Sequence, residues 1–441
     1  MIKTKENSNY LAKIFKIKDI RKHENGDRLQ CVNVDFQNVI TGLDAKDGDF
    51  YVFFPVGCQV DSDLLSFLDA FQDAEKNKNK KKGYFGKSGV VKATNLRSEK
   101  SEGYIVPISQ IEEFYKVSGL EKFENHYFDT IGSSTICWKY VNQNVQPDGE
   151  KSNKNTRKAS KECSRLVENQ FHLHDDTEQL GRNIDNFSLS DYISITCKMH
   201  GTNFSMGRVR VKRKLSFLER VAKFLGAKVE EEEYPDVQHL PVYSSRKVIK
   251  NQNFSSNDSL GYYKFDFWTE IAKRYGDKLP KNFSVYGEIV GQSPDGKCIQ
   301  KMGNKGYDYG LKPNTFELFV FRVTFTNFDG QVCELGTSAS KEFCDKYGFK
   351  FVPIFFQGTV YDFLDRDGTT DSDDWKEMFV NKIKENYNEK DCEFCKNKLP
   401  EEGVVIIRQR YDKFEAYKQK SHRFLKHEVD EVENSEEEIL D

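Results

Sequence analysis

No apolar run in the 441 residues approaches the roughly 20 that a membrane-spanning helix needs; the longest, FYVFFPVG, covers Phe50 to Gly57. The opening MIKTKENSNY has no apolar core of a secretion signal. No repeat of fixed period is present, and small disulfide scaffolds are excluded by length. The ten cysteines are scattered, so they read as reduced thiols. These absences predict a soluble intracellular protein of the cytoplasm or nucleus, with no membrane partner. A dominant charge is missing too: Lys+Arg 67 nearly balances Asp+Glu 70, for a net charge of -3.

The arrangement of charge says more than its sum. The segment EVDEVENSEEEILD, from Glu428 to the end, holds eight acids and no base, so the body without those acids stands at +5. Bases also cluster, in Lys76 to Lys82, Lys151 to Lys161 and Arg208 to Lys214, as a phosphate-tracking surface requires. An aromatic content of 13% argues for packed domains.

A polar stretch at 146–164 reads as a linker between two patterned regions. Residues 1–145 carry short β-rich runs between turn clusters, a spacing that suits a small closed barrel, interrupted by an amphipathic helix from Asp63 to about Glu75. Residues 165–427 read as strands at Tyr192–Cys197, Thr202–Val211, Phe283–Val290, Phe316–Phe325, Gly403–Arg410 and Phe414–Lys420. Helices are expected at Phe265–Tyr275 and Asp374–Tyr387, with another capped by Ser338 or Ser340 and ended by Gly348. The elements do not alternate, so the fold class is α+β on antiparallel sheets. Residues 428–441 form an acidic tail, expected to be separate and disordered.

The strongest chemical signal is CKMHGTNFS, Cys197 to Ser205: a lysine at a strand end before a glycine turn. Lys198 can be a nucleophile toward phosphorus if its amine is neutralised by burial or neighbouring cations. Four segments supply complementary parts. VYGEIVG places Glu288 on an apolar strand, and EGVVIIR places Glu402 at the mouth of another. Together these carboxylates could hold a divalent metal or its waters. YKQK puts Lys418 and Lys420 on one strand face, where they can bind phosphate. ELFVF offers Phe321 in an aromatic stripe suited to stacking on a purine.

In this order the motifs resemble the covalent nucleotidyltransferase superfamily of ligases and capping enzymes. KMHGTNFS, YGEIVG with Ile299-Gln300-Lys301, LFVFRV and EGVVI are similar to the RNA ligase 2 group over residues 165 to 425. In residues 1–145, HENGDRLQCVNVD, GDFYVFFPVG and VVKATNLRSEKSEGYIVPI resemble OB-fold domains of RNA ligases and tRNA-binding proteins. With VYSSRKVIKN, this order resembles the RNA ligase 5 group, in which an OB domain precedes the catalytic domain.

The resemblance implies an N-terminal OB-like β-barrel for nucleic-acid binding, followed by an antiparallel-sheet nucleotidyltransferase domain. It implies ATP and Mg2+ or Mn2+, and a monomer acting on nicked duplex nucleic acid whose 3′-OH strand is RNA. Lys198 would take AMP from ATP, and His200 and Asn203 would serve later steps. Arg246 would contact the nick phosphate. Glu288 would engage the ribose or metal waters, Phe321 would stack on adenine, and Glu402 would assist the metal. Lys418 and Lys420 would hold the α-phosphate. One departure stands out: the RNA ligase 2 pattern has Glu just before the nucleophile, where this chain has Cys197.

Two other enzyme or binding readings compete. A capping guanylyltransferase carries its OB domain after the Lys-x-Lys motif, where little chain remains here. A noncatalytic binding protein on a ligase fold would have no need of Lys198, Glu288, Glu402, Lys418 and Lys420 together. Cys392-Glu393-Phe394-Cys395 is a lone CxxC, whereas structural zinc usually needs a second ligand pair. The amphipathic stretch Lys212 to Glu233 is expected to pack as a helix on its own domain rather than on a membrane or partner.

Overall fold

The computed structural model describes residues 2–4, 8–140, 166–213, 215–229, 238–246, 248–250, 265–364 and 374–434. The expected linker at 146–164, its basic run 151–161 and the last residues of the acidic tail lie outside these.

Alternation of apolar residues builds the C-terminal half. A five-stranded sheet has the order Glu178–Gln179, Glu415–Lys420, Gly403–Arg408, Tyr192–Cys197 and Ile354–Thr359. Its Ile193, Ile195, Val404, Ile406 and Tyr417 point one way, into a core with the helices Val360–Leu364 and Trp375–Tyr387. A seven-stranded sheet runs Ile249–Lys250, Gln238–Ser244, Thr202–Val211, Phe283–Gly291, Phe316–Thr326 and Val332–Glu334, with Lys350–Phe351 added in parallel. Its Phe204, Met206, Val285, Ile289, Leu318, Val320 and Val323 pack on the helices Phe267–Tyr275 and Thr337–Tyr347. Each sheet therefore spends one face on helices. The other faces meet around a smaller cluster that includes Cys197, Met199, Val290, Tyr307 and Phe424.

One irregularity sets the second sheet's geometry. Tyr286 pairs with Arg322, but Gly287 pairs with Val320, so Phe321 is an extra residue in its strand. Such a bulge shifts the alternation by one. Leu318, Val320 and Val323 thereby share the core face, leaving Phe321 and Arg322 beside Tyr286 on the inter-sheet face.

The fold is α+β with antiparallel sheets, as the sequence predicts. In the N-terminal region the strands include a four-stranded sheet (Tyr104–Pro107, Phe50–Phe54, Ala12–Lys16, Tyr127–Phe128) and a three-stranded one (Arg21–Lys22, Leu29–Val34, Gln37–Gly42), beside a small three-stranded sheet (Ile2–Lys3, Thr130–Ile131, Ser134–Thr135) and the pair Cys58–Val60/Cys137–Lys139. The hairpin Ala93–Leu96/Glu99–Glu102 lies against the strand Gln37–Gly42 through side-chain bonds, among them Ile40 N–H to Ser101 Oγ at 3.1 Å. Among the described residues, ladder pairing closes no barrel.

Three local expectations are corrected. The helix expected from Asp63 to Glu75 spans only Ser62–Phe67, capped by Asp61. Its continuation is lost because Asp69 adopts φ 54° and the Asn77 amide takes both backbone groups of Phe71, at 3.0 and 2.7 Å. The helix Thr337–Tyr347 is capped by extended Gly336, not by Ser338 or Ser340, and ends at Gly348 with φ 76°. The final helix runs His422–Asn434, across the boundary expected at 428, and Glu428 ion-pairs with Lys420 at 2.6 Å. No helix among the described residues is long and apolar enough to cross a membrane.

Candidate active site

The strand Tyr192–Cys197 ends one residue before Lys198, whose backbone N–H donates to Gly403 O at 3.0 Å. That bond ties the lysine to the mouth of the neighbouring strand, where Glu402 stands. The Lys198 ammonium donates to Glu402 Oε1, and Lys420 Nζ lies 3.8 Å from the same oxygen. Glu402 is almost wholly buried, so its charge is held by these two cations. Its other oxygen lies 3.6 Å from His200 Nδ1 and has no hydrogen-bond partner.

Two glycines make this approach possible. A Cβ on Gly403, whose φ is 140°, would meet Gln419 O at 2.1 Å. On Gly201 it would meet Ile289 O at 2.6 Å, so only glycine lets the turn after Lys198 lie against the second sheet. His200 is fixed from three sides. Its N–H donates to Tyr309 Oη at 2.5 Å, and its ring meets Tyr307 and Phe424 edge-on at 5.1 and 4.9 Å.

Across the cleft, strand register places Asn203, Glu288 and Phe319 in one row and Ser205, Tyr286 and Arg322 in the next. Burial pushes the Glu288 carboxyl up to about 8; the Glu402 charge adds to this, while Lys198, the Asn203 amide and Arg246 oppose it. Glu288 thus feels groups on both sheets. The Asn203 Oδ1 is buried with no hydrogen-bond partner. Arg246, just past the strand Gln238–Ser244, pairs with Asp176 and acts on Glu288 and His174.

Lys418 and Lys420 share the face opposite Tyr417, as their spacing predicts, and both are buried. Phe321 sits at the bulge with the His174 ring 4.9 Å away, and His174 also meets Tyr286 and Phe414 at 5.9 and 5.6 Å. Burial lowers His174 to about 3, helped by Arg322 and Arg246, so it is a neutral ring at physiological pH.

All nine expected residues line the space between the sheets or its rim. Lys198, His200, Glu402 and Lys420 meet directly; Asn203, Glu288 and Arg246 face them. Lys418 shares the Lys420 face, and Phe321 lies further along the second sheet.

Sequence reasoning missed Tyr309, Asp176, His174 and Glu401. Of these only Glu401 carried a signal, its adjacency to Glu402 in a Glu-Glu doublet at a strand mouth. Cys197 Sγ donates to Glu401 Oε1 at 3.7 Å, and burial raises that carboxyl to about 7.

The basic run Arg208 to Lys214 is corrected in part. Arg210 is buried, stacks on Phe328 at 4.8 Å and donates to its carbonyl at 2.9 Å, while Arg208 donates to the carbonyls of Asp277 and Leu279. Both brace loops rather than track phosphate. Cys392 and Cys395 are buried free thiols in the cluster beside Cys197.

The RNA ligase family profile matches residues 191–426, which include every strand of both sheets except Glu178–Gln179. The chain belongs to the RNA ligase family. Solved structures similar to this RNA ligase include three of Naegleria gruberi RNA ligase. A mutant with ATP and Mn is 16% identical, covers 94% of this chain and 98% of that one, and gives a TM-score of 0.54. The form with PPi is 16% identical over 96% and 99%, with a TM-score of 0.52. A mutant with AMP and Mn is 14% identical over 94% and 98%, at 0.53. At such identities the likeness shows a shared fold. No curated protein sequence matches the chain.

Proposed function

We propose that this RNA ligase uses ATP to join a 3′-OH to a 5′-phosphate through a lysine-AMP and an adenylylated 5′-phosphate. The observation that carries the reading is the Lys198–Glu402–Lys420 contact facing Glu288 across the cleft. The structures similar in fold support it, since their Naegleria gruberi proteins were solved with ATP, AMP, PPi and Mn.

Before Lys198 attacks, its ammonium must lose a proton, and Glu402 Oε1 is the base within reach. The Nζ–phosphorus bond then forms as the bond to pyrophosphate breaks. Lys420 and Lys418, both directed into the cleft, would balance the charge on the phosphate oxygens. In the second transfer AMP passes to a 5′-phosphate held by Arg246, whose orientation Asp176 fixes. In the third the 3′-OH attacks that activated phosphate and AMP leaves. His200, locked by Tyr309 and beside Glu402, is placed to serve these later steps. Phe321 offers its ring to the adenine.

The donor set suits a hard divalent cation: Glu402 Oε2 and Asn203 Oδ1 are buried oxygens without hydrogen-bond partners, and Glu288 stands beside them. No cluster of three or more acidic, His or Cys side chains among the described residues could hold a metal by itself. Glu402 and Glu288 would therefore share Mg2+ or Mn2+ with phosphate oxygens and water, and the cation would neutralise charge on the transferred phosphoryl group.

In this reading residues 1–145 act as an OB-like module that grips a nicked duplex with an RNA 3′-OH strand, reading A-form shape and 2′-hydroxyls. Residues 165–427 do the chemistry in a monomer. The test is incubation of the full chain with ATP labelled at the α-phosphate and Mg2+ or Mn2+. Label is expected on the wild type and absent from Lys198→Ala; an unlabelled wild type, or label taken from GTP instead, would overturn the proposal.

A further inference from the structure

The stretch expected to pack on its own domain does not. Between the strands Thr202–Val211 and Gln238–Ser244 the helix Phe217–Phe224 stands with its apolar side in water: Phe224 is 90% exposed, Leu218 78%, Leu225 77% and Phe217 72%. We propose that this helix is a docking surface for a lipid bilayer bearing anionic headgroups.

Four observations support it. First, the helix is built without help from the domain core. Ser216 and Glu219 form a reciprocal capping box, and Arg213 ties to Glu219 at 2.6 Å. A short helix with no buried residue ordinarily frays; this one is held in shape by its own first turn.

Second, the apolar residues follow helical spacing. Phe217, Leu218, Val221, Phe224 and Leu225 fall on one side of the helix, and Glu219, Arg220 and Lys223 on the others. Strong segregation with low average hydrophobicity marks a helix that lies in a membrane interface.

Third, the charge of the helix and its near flanks fits. In the described part of 212–229 the bases are Lys212, Arg213, Arg220, Lys223 and Lys228, and Glu219, paired with Arg213, is the single acid. Arg220, Lys223 and Lys228 are exposed. They complement anionic headgroups while the Phe and Leu side chains enter the acyl boundary. The acidic run 230–233 that follows lies outside the described residues.

Fourth, docking would leave the cleft open. Asn203 faces the site near the start of its strand, and the helix follows the far end at Val211, roughly 26 Å along the strand at the usual rise.

The test is co-sedimentation of the full chain with phosphatidylcholine vesicles, with and without phosphatidylserine. Phosphatidylserine is expected to raise the bound fraction about tenfold, and Arg220→Gln with Lys223→Gln to reverse most of that gain. Leu218→Asp with Phe224→Asp should abolish binding to either vesicle while the melting temperature stays unchanged. In Phe224→Trp, indole emission should shift to the blue on adding vesicles. Absence of binding, or binding that survives the aspartate pair, overturns the proposal. So does a dimer that the aspartate pair disrupts and that forms in place of vesicle binding, which would assign the face to a second copy of the chain.

Discussion

His422 bridges the two ends of the chain: its Nδ1 lies 2.9 Å from Glu102 Oε1, and its Nε2 lies 2.7 Å from Asn95 Oδ1. The ring sits two residues after Lys420, so the strand that presents the Lys-x-Lys pair is anchored to a hairpin of the N-terminal region. Burial alone would raise the Glu102 carboxyl; the His422 bond and the Lys384 charge overcome it and bring the group below its ordinary 4.5. A lowered carboxylate stabilises the fold above its unfolded pKa, and this is lost as pH falls through the folded value. Glu102→Gln should therefore cost stability near pH 7 and progressively less below about pH 4.5. His422→Ala, which strands a buried acid, should cost about 1–3 kcal/mol. Urea unfolding across this pH range checks both.

Glu288 behaves in the opposite sense. Because burial holds it protonated up to about 8, its contribution is present below 4.5 and lost as pH rises toward 8. Glu288→Gln is expected to stabilise the metal-free protein at pH 8 and to do little at pH 5. In the reading proposed above it should also prevent lysine-AMP formation. Calorimetry at the two pH values, paired with the labelling assay, separates the effects.

His174 gives a third pH signature. Its folded value near 3 lies below its ordinary 6.5, so the unfolded chain takes up a proton that the folded one refuses. Stability should fall as pH drops from about 6.5 toward 3, and His174→Asn should flatten that slope in chemical denaturation.

Arg246→Ala tests the order of steps. Lys198 and Glu402 do not depend on it, so protein-AMP should form at near wild-type rate. Sealing of a pre-adenylylated nick should fall about 100-fold, the scale of a misplaced reacting group. Single-turnover kinetics with that substrate would show it. Asp176→Asn, which loosens the arginine, should give a smaller loss of the same kind.

Gly403→Ala should destabilise by roughly 2–4 kcal/mol, since a side chain there meets both a strained φ and the Gln419 carbonyl. Thermal melting is the measurement. A variant that melts like the wild type would mean that the two strands can separate at this point without cost.

Much of the site was legible because strand alternation is local. The spacing of Lys418 and Lys420, and the single carboxylate in VYGEIVG, place those groups on the inter-sheet face without knowledge of the partner strands. The strand Thr202–Val211 was bounded by its composition alone. Contacts between distant segments were not legible. Tyr309 under His200, Asp176 on Arg246 and His174 over Phe321 come from loops whose local sequence carries no period. The Lys212–Glu233 stretch failed differently: its helical pattern was visible, but a pattern shows that an apolar side exists and not what covers it. The Asp63–Glu75 helix was overestimated because the Asn77 amide competes for backbone groups six residues away.

The extra residue at Phe321 makes the count of residues in its strand as consequential as their identity. Upstream of it, even-numbered Leu318 and Val320 feed the helical core; downstream, odd-numbered Val323 does. Removing Phe321 would bring the strand back into regular step with Leu318, Val320 and Val323 still on the core face, and what would be lost is the ring that the bulge presents beside His174. Substitutions along this strand can be absorbed one side chain at a time. A further one-residue insertion without a bulge of its own cannot, because one half of the strand would then have to turn over, exposing oil to the cleft and charge to the core.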